Sequence, residues 1–208
     1  MELWRKLGLK KVSILAHDYG TSIAKEILAR KNHNLIPLKI EKMYLCSSSM
    51  RLEHLHLKNI GVLLRDRKIG KYISRLTNFG YRKIRRRFKK DNINYQISKN
   101  YDIKDMWNQM DSSEGQKEIH FVSNFINERY TFFHRWTNAL RETTVPVKIF
   151  WSKTDSLAIK EIAIVLATEE ENEKLTWVEN VKHYSILETP NSWIKLVFEY
   201  QNRTKPVF

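Results

Sequence analysis

Cysteine is almost missing from this chain. Cys46 is the only one in 208 residues, so no intrachain disulfide forms and the core alone must hold the fold. It sits in Met43-Tyr44-Leu45-Cys46-Ser47-Ser48, a strand candidate, where a lone thiol reads as small core filler. The lack of disulfides fits a reducing compartment. Metal-ligand spacing is missing too. His54 and His56 stand two apart with no cysteine or carboxylate cluster nearby, and read as a surface pair. There is no glycine-rich phosphate loop and no internal repeat, so neither a metal nor a cofactor is expected. No apolar run reaches the roughly 20 residues that a membrane span needs. Ile159 to Ala167 is short and carries Lys160 and Glu161. Met1 to Lys11 is mixed and charged, unlike a signal peptide.

What remains is a globular chain of ordinary hydrophobic content (42%), long enough for one α/β core and a helical insertion. Acidic residues are few: 23 against 37 Lys and Arg, a net charge of +14. The excess is concentrated in residues 61–90, where twelve basic residues face Asp66 alone. Apolar residues such as Val62, Leu64, Ile69, Ile73 and Phe79 are interleaved with them. A basic amphipathic stretch suits an anionic membrane surface. It equally suits a solvated helix pair with its apolar face turned inward, which is the plainer reading. Nucleic acid is not an expected partner.

The informative segment is Val12-Ser13-Ile14-Leu15-Ala16-His17-Asp18-Tyr19-Gly20-Thr21-Ser22-Ile23-Ala24. It predicts a buried strand, an abrupt turn and a helix start. Ala16 and Gly20 flank Asp18 two residues to either side. That is the pattern of a nucleophile elbow, where a strained turn holds one side chain at the top of a sheet. Small residues at both flanks are expected to be needed for so sharp a turn. The nucleophile position holds a carboxylate, which attacks carbon and forms an ester that water must cleave. Taken alone, Asp-x-Gly is more often a turn or a helix cap.

With this elbow the chain resembles the α/β-hydrolase superfamily in its aspartate-nucleophile branch. Epoxide hydrolases and haloalkane dehalogenases carry His-Asp-Trp-Gly where this chain has His17-Asp18-Tyr19-Gly20. It is similar to the mesoderm-specific transcript family from about residue 3 to about residue 200. The shared segments are His-Asp-Tyr-Gly, Asp105-Met106-Trp107, Phe125-Ile126-Asn127, Arg135-Trp136, Ala139-Leu140 and His183-Tyr184. The resemblance implies Asp155, after the β-rich run Val145–Trp151, as the orienting acid. It implies His183, with Glu188 and Pro190 five and seven residues on, as the base. The order Asp18, Asp155, His183 then matches nucleophile, acid and base. Tyr19 and His17 fall on the oxyanion and substrate side, and Tyr130 and Trp136 on the substrate side of the cap. Trp136 stands where the family has a proton-donating tyrosine, and simple packing is the alternative for it. Tyr72, Tyr81, Tyr101 and Tyr130 are further donors among which the residues do not choose. Two positions depart from the pattern: Ser152-Lys153-Thr154-Asp155-Ser156 replaces Gly-x-x-Asp-Pro, and Lys182 precedes the base.

The expected fold is α/β, an α/β-hydrolase core lacking its N-terminal strands, with a helical cap insertion. Residues 1–50 form the first part of the core, with a helix over Thr21–Lys31 and a strand near Ile40–Ser48. Residues 51–143 form the cap. Residues 144–208 form the second part of the core, with helices over Leu157–Leu175 and Asn191–Tyr200. The family's N-terminal oxyanion motif is absent, so the chain is expected to be N-terminally incomplete, and a targeting or membrane segment could lie upstream. The expected location is cytoplasmic or peripheral to an intracellular membrane. The expected function is hydrolysis of a small hydrophobic electrophile in the manner of an epoxide hydrolase, if the chain is complete. The alternatives are an inactive hydrolase-like protein that binds a membrane or partner through its basic cap and, last, an esterase.

Overall fold

The computed structural model describes residues 1–47, 66, 69, 72, 125–155, 163–164 and 175–203. The basic stretch 61–90 lies outside the described residues except at Asp66, Ile69 and Tyr72. So do Tyr81, Tyr101, His54, His56, Asp105-Met106-Trp107 and most of the helix expected over 157–175. The described elements are α1 (Glu2–Lys6), β1 (Lys11–His17), α2 (Tyr19–Asn32), β2 (Lys39–Cys46), α3 (Phe125–Glu142), β3 (Val147–Ser152), β4 (Leu175–Val178), α4 (Ser185–Glu188) and α5 (Pro190–Arg203). No helix among the described residues is long and apolar enough to cross a membrane.

The described residues fall into two compact units: 1–47, 125–151, 163–164 and 175–177 in the first, the remainder in the second. The sheet has the order β1-β2-β3-β4. β1 pairs with β2 and β2 with β3, both in parallel. Parallel pairing needs long crossovers, and α2 supplies the first of them. It also sets the C-terminal ends of β1, β2 and β3 at one edge of the sheet, where open α/β sheets place ligand sites. The strand sequences explain the sheet. Met43, Tyr44, Leu45 and Cys46 of β2, and Val147, Ile149, Phe150 and Trp151 of β3, are all buried. Runs buried on both faces read as continuous apolar stretches, as parallel strands do. β1 lies at an edge of the described sheet, and its Leu15 is 49% exposed.

α2 and α3 pack against each other. α2 buries the small or apolar side chains of Thr21, Ser22, Ala24, Leu28 and Ala29, together with Lys25. α3 answers with Arg129, Trp136, Thr137, Ala139 and Leu140. Positions 129, 136 and 140 share one helix face by their spacing. Ala24 and Ala29 let the two backbones approach, and Asn32 Nδ2 donates to the Ala139 carbonyl at 2.9 Å. Leu28, Met43, Leu45, Leu140, Ile149 and Trp151 join these alanines in one core cluster. Truncating Leu28, which has no exposed surface, to alanine would cost about 2–5 kcal/mol. α2 stops where Asn34 turns left-handed at φ 57°, a conformation asparagine tolerates.

Boundaries shift slightly from expectation. α2 starts at Tyr19 rather than Thr21, because the chain turns helical directly after Asp18. β2 ends at Cys46, since Ser47 takes φ 47°. α5 starts on Pro190 itself, the first-turn position where its missing N–H costs nothing.

Candidate active site

In the first unit Asp18 links β1 to α2 with φ 48° and ψ −117°. A non-glycine residue held there is strained, by about 1–3 kcal/mol. The surrounding bonds enforce it. Asp18 N–H donates to the Cys46 carbonyl at 3.2 Å, tying the turn to the end of β2. Its carbonyl accepts from Thr21 N–H at 3.0 Å and Thr21 Oγ1 at 2.6 Å. The residue stands at the helix N-cap, yet its carboxylate makes no capping bond. That departs from the ordinary use of aspartate at such a turn. The side chain is half exposed, and Oδ1 lies 4.0 Å from Nη2 of the buried Arg129. Tyr19 is the first residue of α2, so helix geometry gives its N–H no partner within the helix. Gly20 is less constrained than its place in the elbow suggests. A Cβ there would meet only the Ala16 Cβ, at an ordinary 3.9 Å.

Charges are unusually buried around this turn. Arg129 Nε donates to Ser22 Oγ at 3.4 Å. Burial pushes the Arg129 guanidinium below its usual range, and the negative charge of Asp18 opposes that. Lys25, one turn along α2, is held well below the normal lysine range by burial and then by Arg129. Tyr19 Oη donates to Glu128 at 2.8 Å. Burial, followed by that carboxylate, raises the phenol to about 12.

In the second unit His183 Nδ1 lies 3.0 Å from Asp155 Oδ2, with both side chains buried. Asp155 follows β3 and His183 follows β4, so two loops meet in this pair. Further bonds clamp them. Ser152 Oγ donates to the Val181 carbonyl, and Thr154 Oγ1 donates to the same oxygen at 2.6 Å. Lys153 and Glu179 form an exposed ion pair at 2.7 Å. The departures at Ser152 and Thr154 are thus the residues that tie the acid loop to the base loop. A buried carboxylate on one ring nitrogen fixes a histidine's orientation and supports its charged form.

No model of a known protein family matches the chain. LipZ of Mycobacterium tuberculosis, named as a candidate hydrolase, is 25% identical over 182 residues, covering 88% of this chain and 62% of LipZ. The human mesoderm-specific transcript homolog protein is 28% identical over 157 residues, covering 74% of this chain and 46% of its own length. This chain therefore spans about half to three fifths of these relatives. A solved structure of MGS-M2, an α/β-hydrolase enzyme from a deep-sea metagenome library, superposes over the whole chain and 70% of its own, with TM-score 0.60 and 20% identity. The chain has the α/β-hydrolase fold.

On this α/β-hydrolase frame the other expected site residues take distinct places. His17 is the last residue of β1, opposite Cys46. Trp136 is buried, and its Nε1 donates to Glu26 at 3.0 Å. Glu26 also accepts from Arg135 and Arg30. Burial alone would raise the Glu26 pKa, but these three donors hold it below the usual value. The indole is therefore a cross-brace between α2 and α3, 6.0 Å from the Lys25 amine. Tyr130, on α3, is exposed, and so is Tyr72 elsewhere in the chain. A cavity of about 350 Å³ lies beside the elbow, with Tyr19, Ile23, Glu26, Glu128, Phe132 and Trp136 in its wall. Asp18 is not part of that wall. Arg129, Ser22, Glu26 and Glu128 went unread as site neighbours. The available signal was an arginine in the apolar stripe of an amphipathic helix.

Proposed function

We propose that this chain carries the catalytic half-sites of a hydrolase with a carboxylate nucleophile. Asp18 Oδ2 attacks an electrophilic carbon, and the leaving group departs with the bonding electron pair. The product is an ester on Asp18. His183, held by Asp155, takes a proton from water, whose oxygen attacks the Asp18 carboxyl carbon. The tetrahedral adduct expels the product alkoxide, which takes the proton from His183, and the carboxyl group left behind releases water's second proton to solvent. Water's oxygen is left in the regenerated carboxylate. The observation that carries this reading is the conformation of Asp18. A strained turn presents a half-exposed carboxylate that does no capping. The buried Asp155–His183 pair supports it, as do the order of the three residues and relatives named as hydrolases. The substrate class follows from the nucleophile: a small hydrophobic epoxide or alkyl halide, with epoxide opening as the first candidate.

The test is to trap the ester. His183→Ala should still alkylate but fail to hydrolyse, giving a stoichiometric mass adduct that maps to Asp18 and is lost in Asp18→Asn. A folded His183→Ala chain that gains no adduct from a panel of aryl epoxides and 1-haloalkanes would overturn the proposal.

A further inference from the structure

We propose that Arg129 stabilises the oxyanion that forms on Asp18 Oδ1 when water attacks the alkyl ester. This rests on the reading of Asp18 as the nucleophile. It adds a donor that the elbow's sequence does not show.

A buried guanidinium is expensive, because arginine does not give up its proton and burial penalises its charge. Arg129 is 3% exposed, in the α2–α3 interface. Asp18 offers it a carboxylate at 4.0 Å through Oδ1. Its Nε is directed to Ser22 Oγ, which fixes the plane of the guanidinium from the first turn of α2. Two other charged groups of the described α2–α3 interface are otherwise disposed. The Lys25 amine is driven toward its neutral form by burial and by Arg129 itself. Glu128 is bonded to Tyr19. Ser47 and Cys46 at the end of β2 carry no charge.

Consider the charge on Asp18 through the two steps. In the resting state it is −1, beside Arg129. Once alkylated it is zero, and the attraction between Asp18 and Arg129 is lost. When water attacks the carboxyl carbon, the carbonyl electron pair moves onto Oδ1, and −1 returns at the position facing Nη2. Arg129 therefore destabilises the ester and stabilises the transition state that removes it. That is a differential effect on hydrolysis rather than uniform binding. An oxyanion donor lost by mutation typically lowers a rate by roughly 10²–10³-fold. Alkylation gains nothing from Arg129, because the same ion pair stabilises the carboxylate that must be consumed.

The experiment separates the two steps by intact mass. The full 208-residue chain and its Arg129→Gln, Arg129→Lys and His183→Ala variants are pulsed with an aryl epoxide or a 1-bromoalkane, then chased. Arg129→Gln should form the Asp18 ester within a few fold of the wild-type rate and hold it about a hundredfold longer. Arg129→Lys keeps the charge, folds where the glutamine variant does not, and should give an intermediate lifetime. Added guanidinium should shorten the ester lifetime in Arg129→Gln, a rescue that lost packing would not allow. Wild-type lifetime in either folded variant overturns the inference, as does an equal loss in both steps. If His183→Ala forms the Asp18 adduct and the Arg129 variants behave as wild type, only Arg129's role falls. If no chain forms an adduct, the nucleophile reading falls with it.

Discussion

The Asp155–His183 pair can be weighed without knowing any substrate. Both side chains are buried, with 3.0 Å between Nδ1 and Oδ2. A hydrogen bond to a charged group is worth about 1.5–3 kcal/mol net. Removing one partner from a buried site costs more, because the other is left desolvated. A double-mutant cycle of Asp155→Ala, His183→Ala and the double variant isolates the pair from the cavities each change creates. We expect a coupling energy of about 1.5–3 kcal/mol, roughly a 10- to 150-fold change in the unfolding constant. With a urea slope of about 2 kcal/mol per molar, that corresponds to roughly 1 M in midpoint. The neighbouring Lys153–Glu179 pair is the internal control. It is shorter, at 2.7 Å, but more than half exposed, so its coupling should be at most about 1 kcal/mol. If the buried pair couples by less than about 0.5 kcal/mol, or by less than the exposed one, the two loops are not joined as described, and His183 has no oriented base to offer.

Three further outcomes follow from the first unit. Asp18→Gly should be more stable than Asp18→Ala by about 1 kcal/mol, because both lose the carboxylate but only glycine relaxes φ 48°; equal urea midpoints would mean the turn is unstrained. Lys25 binds its proton less well folded than unfolded, so wild-type stability should rise from its depressed folded pKa toward about 10.4, and Lys25→Met should remove that rise; parallel urea midpoints at pH 7 and 9.5 would refute it. Burial drives the Cys46 thiol upward, so a thiol reagent should label it only in denaturant, and fast labelling of the native chain would show that the β2 end is open.

The elbow was legible because it is local. The strand, the turn and the helix start lie within residues 11–24, and only tertiary bonds such as Asp18 N–H to Cys46 lie beyond that window. The Asp155–His183 contact was legible only through the order of family motifs, since the intervening residues say nothing of proximity. In sequence, Ser152-Lys153-Thr154 is only a departure from the family's acid-loop pattern. Its hydroxyls instead take over a fixing role by reaching the Val181 carbonyl, a long-range contact that no spacing rule encodes. Trp136 could be read as donor or as packing. Its N–H is committed to Glu26, a carboxylate more than a hundred residues upstream. Arg129 carried the one signal that was present and unread. An arginine on the same helix face as Trp136 and Leu140 must either snorkel to water or find a buried anion. It is 3% exposed, which excludes the first, and the anion beside it is the carboxylate at the strained turn. Under the proposed mechanism the charge on Asp18 changes while the protein works, which gives the buried cation a role beyond the turn.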